Sequence, residues 1–140
     1  MGLGVDLCDV LRMEKAIRSA HFVRRIFRPE EIAYAEAKSG RARAAGYASA
    51  FAAREAFAKA SGVSMYKLAL ASRFCLMRSE DGRPFLFVPP DLDPGFAEGK
   101  KRAWVSLSHD GDYVVAVVVL EKVEELDLRG VSPCGNGVRA

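Results

Sequence analysis

The sequence predicts an α+β protein in which helices pack against a mainly antiparallel sheet. The order of patterns along the chain is one strand, then helices, then strands, with the change of apolar period falling just after Gly62. The chain has 140 residues, half of them hydrophobic and 28% charged, which is enough to bury a core without disulfides or metals. We therefore expect a single domain.

The N-terminal segment MGLGVDLCDVL predicts a short strand that leads into a helix. Val5 and Leu7 are the apolar residues of the strand, and Asp6 lies near its end. Asp9 suits the N-cap of the following helix, because its carboxylate can accept hydrogen bonds from amides two or three residues further on. We expect this first helix to run from Val10 to about Ala20.

Two further helices are predicted. Pro29 suits the first position of the second helix, which should continue to about Lys38 and stop at Gly40. The third helix, from about Ala42 to Ser61, is the longest and should end with Gly62 as its C-cap.

Strand patterns follow the third predicted helix. The run KLALASRFCLMRSEDGRPFLFV predicts a hairpin that turns at Asp81 and Gly82. The segment DLDPGFAEGKK predicts a loop or a short helix, and AWVSLSHDGDYVVAVVVLEKV predicts a second hairpin with its turn at His109 to Asp112.

We expect the domain to cover residues 1–123. Residues 124–140 are polar and rich in glycine, and we expect this tail to be poorly ordered.

Composition argues against several classes of protein. No apolar run approaches the roughly 18 residues that span a bilayer, and no secretory leader is recognisable, so we expect a cytoplasmic protein without a membrane partner. Cys8, Cys75 and Cys134 lack the spacing of a zinc site or a disulfide framework. The net charge of +3 is too small to predict binding to nucleic acid.

Positive charge is concentrated near the N-terminus. Six basic residues and one acid, Glu14, lie between Arg12 and Arg28. Arg12, Lys15 and Arg18 follow the spacing that places side chains on related turns of a helix. This local field predicts an acidic partner.

Glu55 interrupts the apolar stripe of the third helix, which Tyr47 and Phe51 begin. A carboxylate there lies at the edge of the core or needs a partner, because burying an unpaired charge is costly. One interpretation is a surface pair between Glu55 and Lys59. The other is a magnesium site shared with Asp6, with Lys59 neutralising a substrate phosphate. Asp6 itself has a simpler alternative, a capping or turn role.

The segment SLSHDGD is compatible with a simple polar turn. It lacks the further histidines of a metallohydrolase and the GxSxG motif of a serine hydrolase. The glycine-rich phosphate loops GxGxxG and GxxxxGK[ST] are also missing, which disfavours Rossmann and P-loop folds.

Four segments together resemble successive blocks of the holo-[acyl carrier protein] synthases, the small 4'-phosphopantetheinyl transferases. They are GVDLCDVLRME, FAAREAFAKASG, DGRPFLF and WVSLSHDGDYVVAVVVLE, and the resemblance covers about Gly2 to Glu121. It implies the 4'-phosphopantetheinyl transferase-like fold and magnesium-dependent transfer of the phosphopantetheine arm of coenzyme A to a serine of apo acyl carrier protein. It also implies release of 3',5'-ADP, a place in fatty acid synthesis, and a homotrimer with active sites between subunits.

The resemblance also assigns residues. Asp6 and Glu55 match the magnesium ligands, and Lys59 matches a lysine expected to contact phosphate or assist proton transfer. Glu55 or a water on the metal would be the base, so Glu55 and Lys59 are the catalytic candidates. The expected coenzyme A contacts are Arg54, Lys59, Gly62, Gly82, Arg83, Pro84, Ser108 and His109. Arg12, Lys15 and Arg18 match the docking surface for the carrier protein.

The chain departs from the family pattern in the third helix. The family commonly has arginine at Ala50 and lysine at Arg54, and the second change keeps charge but not geometry. The segment VSMYK after Gly62 lacks the family's glycine-threonine-glycine character. Two alternatives stay open: a non-catalytic protein that binds coenzyme A or another nucleotide, and a basic module that recognises an acidic helix.

Overall fold

The computed structural model describes residues 1–71 and 73–124 and confirms the α+β class. The strands are β1 (Gly2–Asp9), β2 (Cys75–Arg78), β3 (Pro84–Phe87), β4 (Lys101–Asp110) and β5 (Tyr113–Lys122). The helices are α1 (Val10–Ala16), α2 (Ala20–Ile26), α3 (Pro29–Glu36), α4 (Gly40–Ser61), α5 (Met65–Leu70) and α6 (Pro94–Ala97). Residues 125–140 of the predicted tail lie outside the described part, so the domain boundary stays a prediction.

A three-stranded antiparallel sheet in the order β1-β5-β4 carries α4 on one face. The central strand β5 presents Val114, Ala116 and Val118 to this face, and all three are buried. Strands β2 and β3 form a separate hairpin, which places Arg78 opposite Pro84. No described helix is both long and apolar enough to cross a membrane.

Strand β1 lies directly on α4 because two of its residues have no side chain. A Cβ atom on Gly4 would lie 1.9 Å from the carbonyl oxygen of Ala56, and one on Gly2 would lie 1.9 Å from that of Ala60. Only glycine allows such an approach of strand to helix. Since side chains alternate along a strand, Asp6 faces α4 on the same side as the two glycines.

The opposite face of the sheet is apolar and exposed. We call it the outer sheet face and define it by Leu3, Val5, Leu7, Trp104 and Val119. The register places Trp104 and Leu3 on either side of Val119, so these side chains form one row across the three strands. A contiguous apolar patch of this kind marks an interaction surface more often than a free one.

The first predicted helix ends earlier than expected, and a helix that the sequence did not predict follows it. Helix α1 ends at Ala16, and α2 begins at Ala20 after Ser19, which has an extended backbone. The hydroxyl of Ser19 accepts a hydrogen bond from the N–H of Phe22 at 3.2 Å, which caps α2. A serine that bonds to the backbone in this way favours a new helix start over helix continuation.

The prediction of strand at KLALA is also wrong. Residues Met65–Leu70 form α5, because the hydroxyl of Ser64 caps the N–H of Lys67 at 3.2 Å and Leu68 packs into the core. The second hairpin turns later than expected, since β4 continues through Asp110 and the turn is at Gly111 and Asp112.

The other elements agree with the sequence. Helix α4 ends at Gly62, whose φ of 77° is left-handed, as expected for a C-cap glycine. The first hairpin turns through Gly82, with a φ of 84°. The segment after Pro94 forms the short helix α6.

Candidate active site

Asp6 of β1 and Glu55 of α4 line the same cavity. Its volume is about 410 Å³, which lies in the range of small-molecule sites. The lining residues are Asp6, Leu7, Cys8, Asp9, Arg12, Met13, Ala16, Phe22, Phe51 and Glu55. The structure therefore brings together the two carboxylates that the sequence predicted to meet.

Lys59 lies beside this carboxylate pair. Its Nζ donates hydrogen bonds to Oδ1 of Asp6 at 3.2 Å and to the carbonyl oxygen of Val5 at 2.9 Å. The surface pair of Lys59 with Glu55, which the sequence left open, is thus replaced by a pair with Asp6. We refer to Asp6, Glu55 and Lys59 as the carboxylate site.

The pKa of Glu55 is raised above its ordinary value. Burial is the largest cause, the charge of Asp6 is the second, and the charge of Lys59 opposes both. The negative charge of Asp6, which contributes to the raised pKa of Glu55, would be offset by a cation bound near the two carboxylates. A raised pKa also makes Glu55 a stronger base when it is ionised.

The donor set suits magnesium better than zinc. Two carboxylates offer hard oxygen ligands, and among residues 1–71 and 73–124 no group of three or more histidine, cysteine, aspartate or glutamate residues could hold a metal. Magnesium commonly takes one or two carboxylates and completes its shell with water and substrate phosphate, whereas zinc prefers four nitrogen or sulfur ligands. Burial, followed by the charge of Asp6, raises the pKa of the nearby Cys8 thiol to about 11.

Part of the cavity lining is apolar. Met13, Phe22 and Phe51 line it, and the rings of the two phenylalanines lie 6.5 Å apart. Sequence reasoning missed Phe22 because it did not predict α2. Asp9 caps α1 as predicted, accepting from the N–H of Leu11 at 2.9 Å.

One basic side chain lines the cavity, and two more are exposed nearby in the chain. Arg12 lines it, and Lys15 is exposed on the same helix. Arg18 was expected on this helix but lies in the turn between α1 and α2, where it is exposed. The positive surface predicted from the sequence therefore extends beyond α1 into the turn.

Arg54 lies in the core, so its predicted contact with coenzyme A is corrected. Only 1% of the residue is exposed, and its guanidinium pairs with the carboxylate of Glu31. It also donates to the carbonyl oxygens of Phe74 and Ala50, both at 3.2 Å. A guanidinium used in this way cannot reach a substrate. No local pattern in the sequence indicates this ion pair, because Glu31 and Arg54 are 23 residues apart in the chain.

The other predicted coenzyme A contacts lie elsewhere on the chain. Gly82 and Arg83 lie in the exposed turn of the β2–β3 hairpin, and Pro84 is the half-buried first residue of β3. Gly62 ends α4, and its neighbours Ser61 and Val63 line a second cavity of about 170 Å³.

Ser108 and His109 are exposed on β4. His109 lies opposite Val114 of β5, which in turn lies opposite Cys8 of β1. Adjacent strands are about 4.8 Å apart, so the backbones of His109 and Cys8 are separated by roughly 10 Å. Within the described chain, the cavity around Asp6 has no lining residue from β4 or from the β2–β3 hairpin.

Comparison with protein families and known proteins gives a consistent result. Residues 2–118 match the family model described as the 4'-phosphopantetheinyl transferase superfamily. The holo-[acyl-carrier-protein] synthase of Geotalea daltonii is 33% identical over 124 residues, which cover 86% of this chain and 98% of that protein.

Two solved structures share the fold. The holo-[acyl-carrier-protein] synthase of Neisseria meningitidis superposes with a TM-score of 0.70 at 30% identity, covering 86% of this chain and 98% of the other. That of Bacillus anthracis, in complex with coenzyme A (3',5'-ADP), gives a TM-score of 0.71 at 28% identity, covering 87% and 96%.

Proposed function

The chain belongs to the 4'-phosphopantetheinyl transferase superfamily, and from that membership we propose that it transfers the 4'-phosphopantetheine group of coenzyme A to a serine of an apo acyl carrier protein. Release of 3',5'-ADP, a role in fatty acid synthesis and a cytoplasmic location are parts of the same proposal. The observation that carries it is the cavity shared by Asp6 and Glu55, with Lys59 bonded to Asp6 at its edge.

In the proposed reaction, the serine oxygen bonds to the β-phosphorus of coenzyme A. The bond from that phosphorus to the bridging oxygen breaks, so that 3',5'-ADP leaves and the serine proton passes to a base. Asp6 and Glu55 would hold magnesium, which would supply positive charge to the diphosphate oxygens when bound.

The chain's own groups have distinct tasks. Lys59 would present its ammonium to the phosphate oxygens from the position where it now bonds Asp6. Glu55 has the raised pKa that suits a proton acceptor.

The surface next to the cavity supports docking of a carrier protein. Arg12 and Lys15 of α1, with Arg18 beyond it, present positive charge that would attract an acidic helix. The apolar lining of the cavity, which includes Phe22 and Phe51, offers a place for an apolar side chain of that partner.

We also propose that the chain acts as a homotrimer with sites between subunits. Two observations support this assembly. The outer sheet face exposes an apolar row that a monomer would leave in water. In addition, Pro84, Ser108 and His109, which match coenzyme A contacts of the family, do not line the Asp6 cavity of their own chain.

The direct test is incubation of the purified protein with coenzyme A, magnesium and an apo acyl carrier protein, followed by intact mass of the carrier. The expected result is a gain equal to the phosphopantetheine group, lost when EDTA is added or when the acceptor serine is replaced. Binding of coenzyme A without any mass gain would instead support the non-catalytic alternative.

Assembly is tested separately by light scattering coupled to gel filtration. We expect three copies for the wild type and a smaller species for Leu3→Glu, which places a charge in the outer sheet face. Leu70→Glu is the control, because Leu70 is equally exposed but lies on α5. A monomeric wild type with full transfer activity would contradict the trimer.

A further inference from the structure

We propose that Glu31 and Arg54 are positioning residues that hold Glu55 in its working orientation. This inference rests on the function proposed above, in which Glu55 takes part in catalysis. Glu31 and Arg54 form an ion pair between α3 and α4, and Arg54 directly precedes Glu55 in the chain.

Glu31 connects three elements through one carboxylate. Besides Arg54 of α4, it accepts the N–H of Arg28 at the start of α3 at 2.8 Å and the N–H of Leu76 in β2 at 3.0 Å. The residue is 4% exposed, so these charge-assisted bonds lie in a medium of low dielectric constant. The carboxylate therefore fixes α4 relative to α3 and β2.

Arg54 has little freedom to reorient. The rings of Phe27 and Phe74 lie 5.7 and 5.6 Å from its guanidinium carbon, and the carbonyl oxygen of Phe74 accepts one of its N–H groups. A planar guanidinium with two aromatic neighbours and a paired carboxylate has few other arrangements. Motion of Arg54 would thus require motion of several packed elements.

Helix α4 is held from two sides. On one side, the backbone of β1 at Gly4 lies against the carbonyl of Ala56, and on the other side Arg54 is bonded to Glu31. These two contacts together resist rotation of α4 about its axis. With a helix radius of about 5–6 Å including side chains, a rotation of about 10° would move the Glu55 carboxylate by about 1 Å. A displacement of that size can cost about a hundredfold in rate.

Stability alone does not explain a buried ion pair. Replacing both members of such a pair by residues without charge is often neutral or stabilising, whereas removing one member is strongly destabilising. The double replacement therefore separates a role of the ion pair in stability from a role in positioning Glu55. It can leave a folded protein in which α4 no longer has its ionic attachment to α3.

The test compares the double variant Glu31→Gln/Arg54→Met with the wild type. The glutamine keeps an acceptor for the N–H of Leu76, and the methionine fills much of the arginine's space. We measure unfolding temperature, kcat and KM for phosphopantetheine transfer, and the affinity for Mn²⁺ alone by electron paramagnetic resonance. We expect a folded protein whose kcat and Mn²⁺ affinity fall by about tenfold or more, with KM for coenzyme A changed less than threefold.

The matched control is Glu36→Gln/Arg43→Met. Glu36 and Arg43 also join α3 to α4, with Nε of Arg43 at 2.6 Å from Oε2 of Glu36, but the pair is exposed. This variant should keep the kcat and the Mn²⁺ affinity of the wild type.

Wild-type kcat and Mn²⁺ affinity in a folded Glu31→Gln/Arg54→Met variant would overturn the inference. If that variant fails to fold, Arg54→Lys is measured in its place, since lysine keeps the charge but lacks the second nitrogen of the guanidinium. If Arg54→Lys folds and loses about threefold or more in both kcat and Mn²⁺ affinity, the result supports positioning. Unchanged kcat and Mn²⁺ affinity in this variant refute it. A wild type without transfer activity would refute the proposed function, and the Mn²⁺ affinities would still decide whether the pair orients Glu55.

Discussion

Lys59 bonds Asp6 across the contact between α4 and β1, with Nζ at 3.2 Å from Oδ1. The ammonium group of Lys59 thus lies beside the carboxylate that we propose as a magnesium ligand. A lysine in this position has two opposing effects. It attracts a phosphate, and it competes with a divalent cation for Asp6.

This competition predicts that Lys59→Met has opposite effects on the rate of transfer and on the affinity for metal. Transfer should slow by about tenfold or more, because the charge that faces the phosphate is lost. The affinity for Mn²⁺ should rise by several-fold, because Asp6 no longer shares its charge with an ammonium group. Steady-state kinetics and Mn²⁺ titration measure the two quantities, and a fall in both would contradict the assigned position of the lysine.

Removing either carboxylate should abolish transfer. Asp6→Ala and Glu55→Ala each delete a proposed magnesium ligand, and we expect kcat/KM to fall by about a hundredfold or more, a loss of several kcal/mol in charge stabilisation. Circular dichroism should show a retained fold. Glu98→Ala is the control, because Glu98 is an exposed acid that pairs with Lys100 outside the cavity. Full activity in either site variant would remove the metal assignment.

Glu55 should make stability depend on pH. Its pKa is raised in the folded protein above the ordinary value of 4.5, so the folded state keeps a proton that the unfolded state loses. Stability then falls as pH rises through this window, and the loss persists at neutral pH. In EDTA, Glu55→Gln should therefore unfold at a higher temperature than the wild type at about pH 7, with the difference vanishing near pH 4. A variant that is less stable at both pH values would disagree with the raised pKa.

Gly4→Ala should be strongly destabilising. The added Cβ would lie 1.9 Å from a backbone oxygen of Ala56, so strand and helix would have to separate. Overpacking against backbone costs about 3 kcal/mol or more. Urea denaturation checks this expectation. Gly46→Ala provides a graded comparison, since its Cβ would meet Ala35 at 3.1 Å, and it should lose less stability.

Charge reversal on α1 should weaken carrier-protein recognition without changing the chemistry. In Arg12→Glu/Lys15→Glu, we expect KM for the acyl carrier protein to rise by about tenfold and its dependence on salt to decrease. The KM for coenzyme A should stay near that of the wild type. Lys38→Glu, a change at an exposed residue just after the end of α3, is the control. Equal effects of the two changes would argue against a specific docking surface.

Local signals in the sequence predicted the parts of the fold that depend on neighbouring residues. Gly62 ends α4 and Gly82 turns the first hairpin, since a left-handed backbone favours glycine wherever it occurs. The sequence analysis missed the helix starts at Ser19 and Ser64, because a serine hydroxyl can cap a new helix but can equally lie in a turn or within a longer element.

Local signals in the sequence also predicted part of the candidate site. Asp6 and Glu55 were found because each is an acid at an otherwise apolar position. The burial of Arg54 was not found, because its partner Glu31 and the rings around it come from other elements. The pairing of Lys59 with Asp6 likewise depends on the contact of β1 with α4, which no local pattern reveals.

The glycine contact between β1 and α4 has a consequence for the choice of cation. Because main chain lies on main chain there, no deformable layer of side chains separates the strand that carries Asp6 from the helix that carries Glu55. The span between the two carboxyl groups is then fixed by backbone geometry and by the lengths of an aspartate and a glutamate. This fixed span would set a preference for a small ion over a larger one. Shortening Glu55 to aspartate would be the direct way to change that preference.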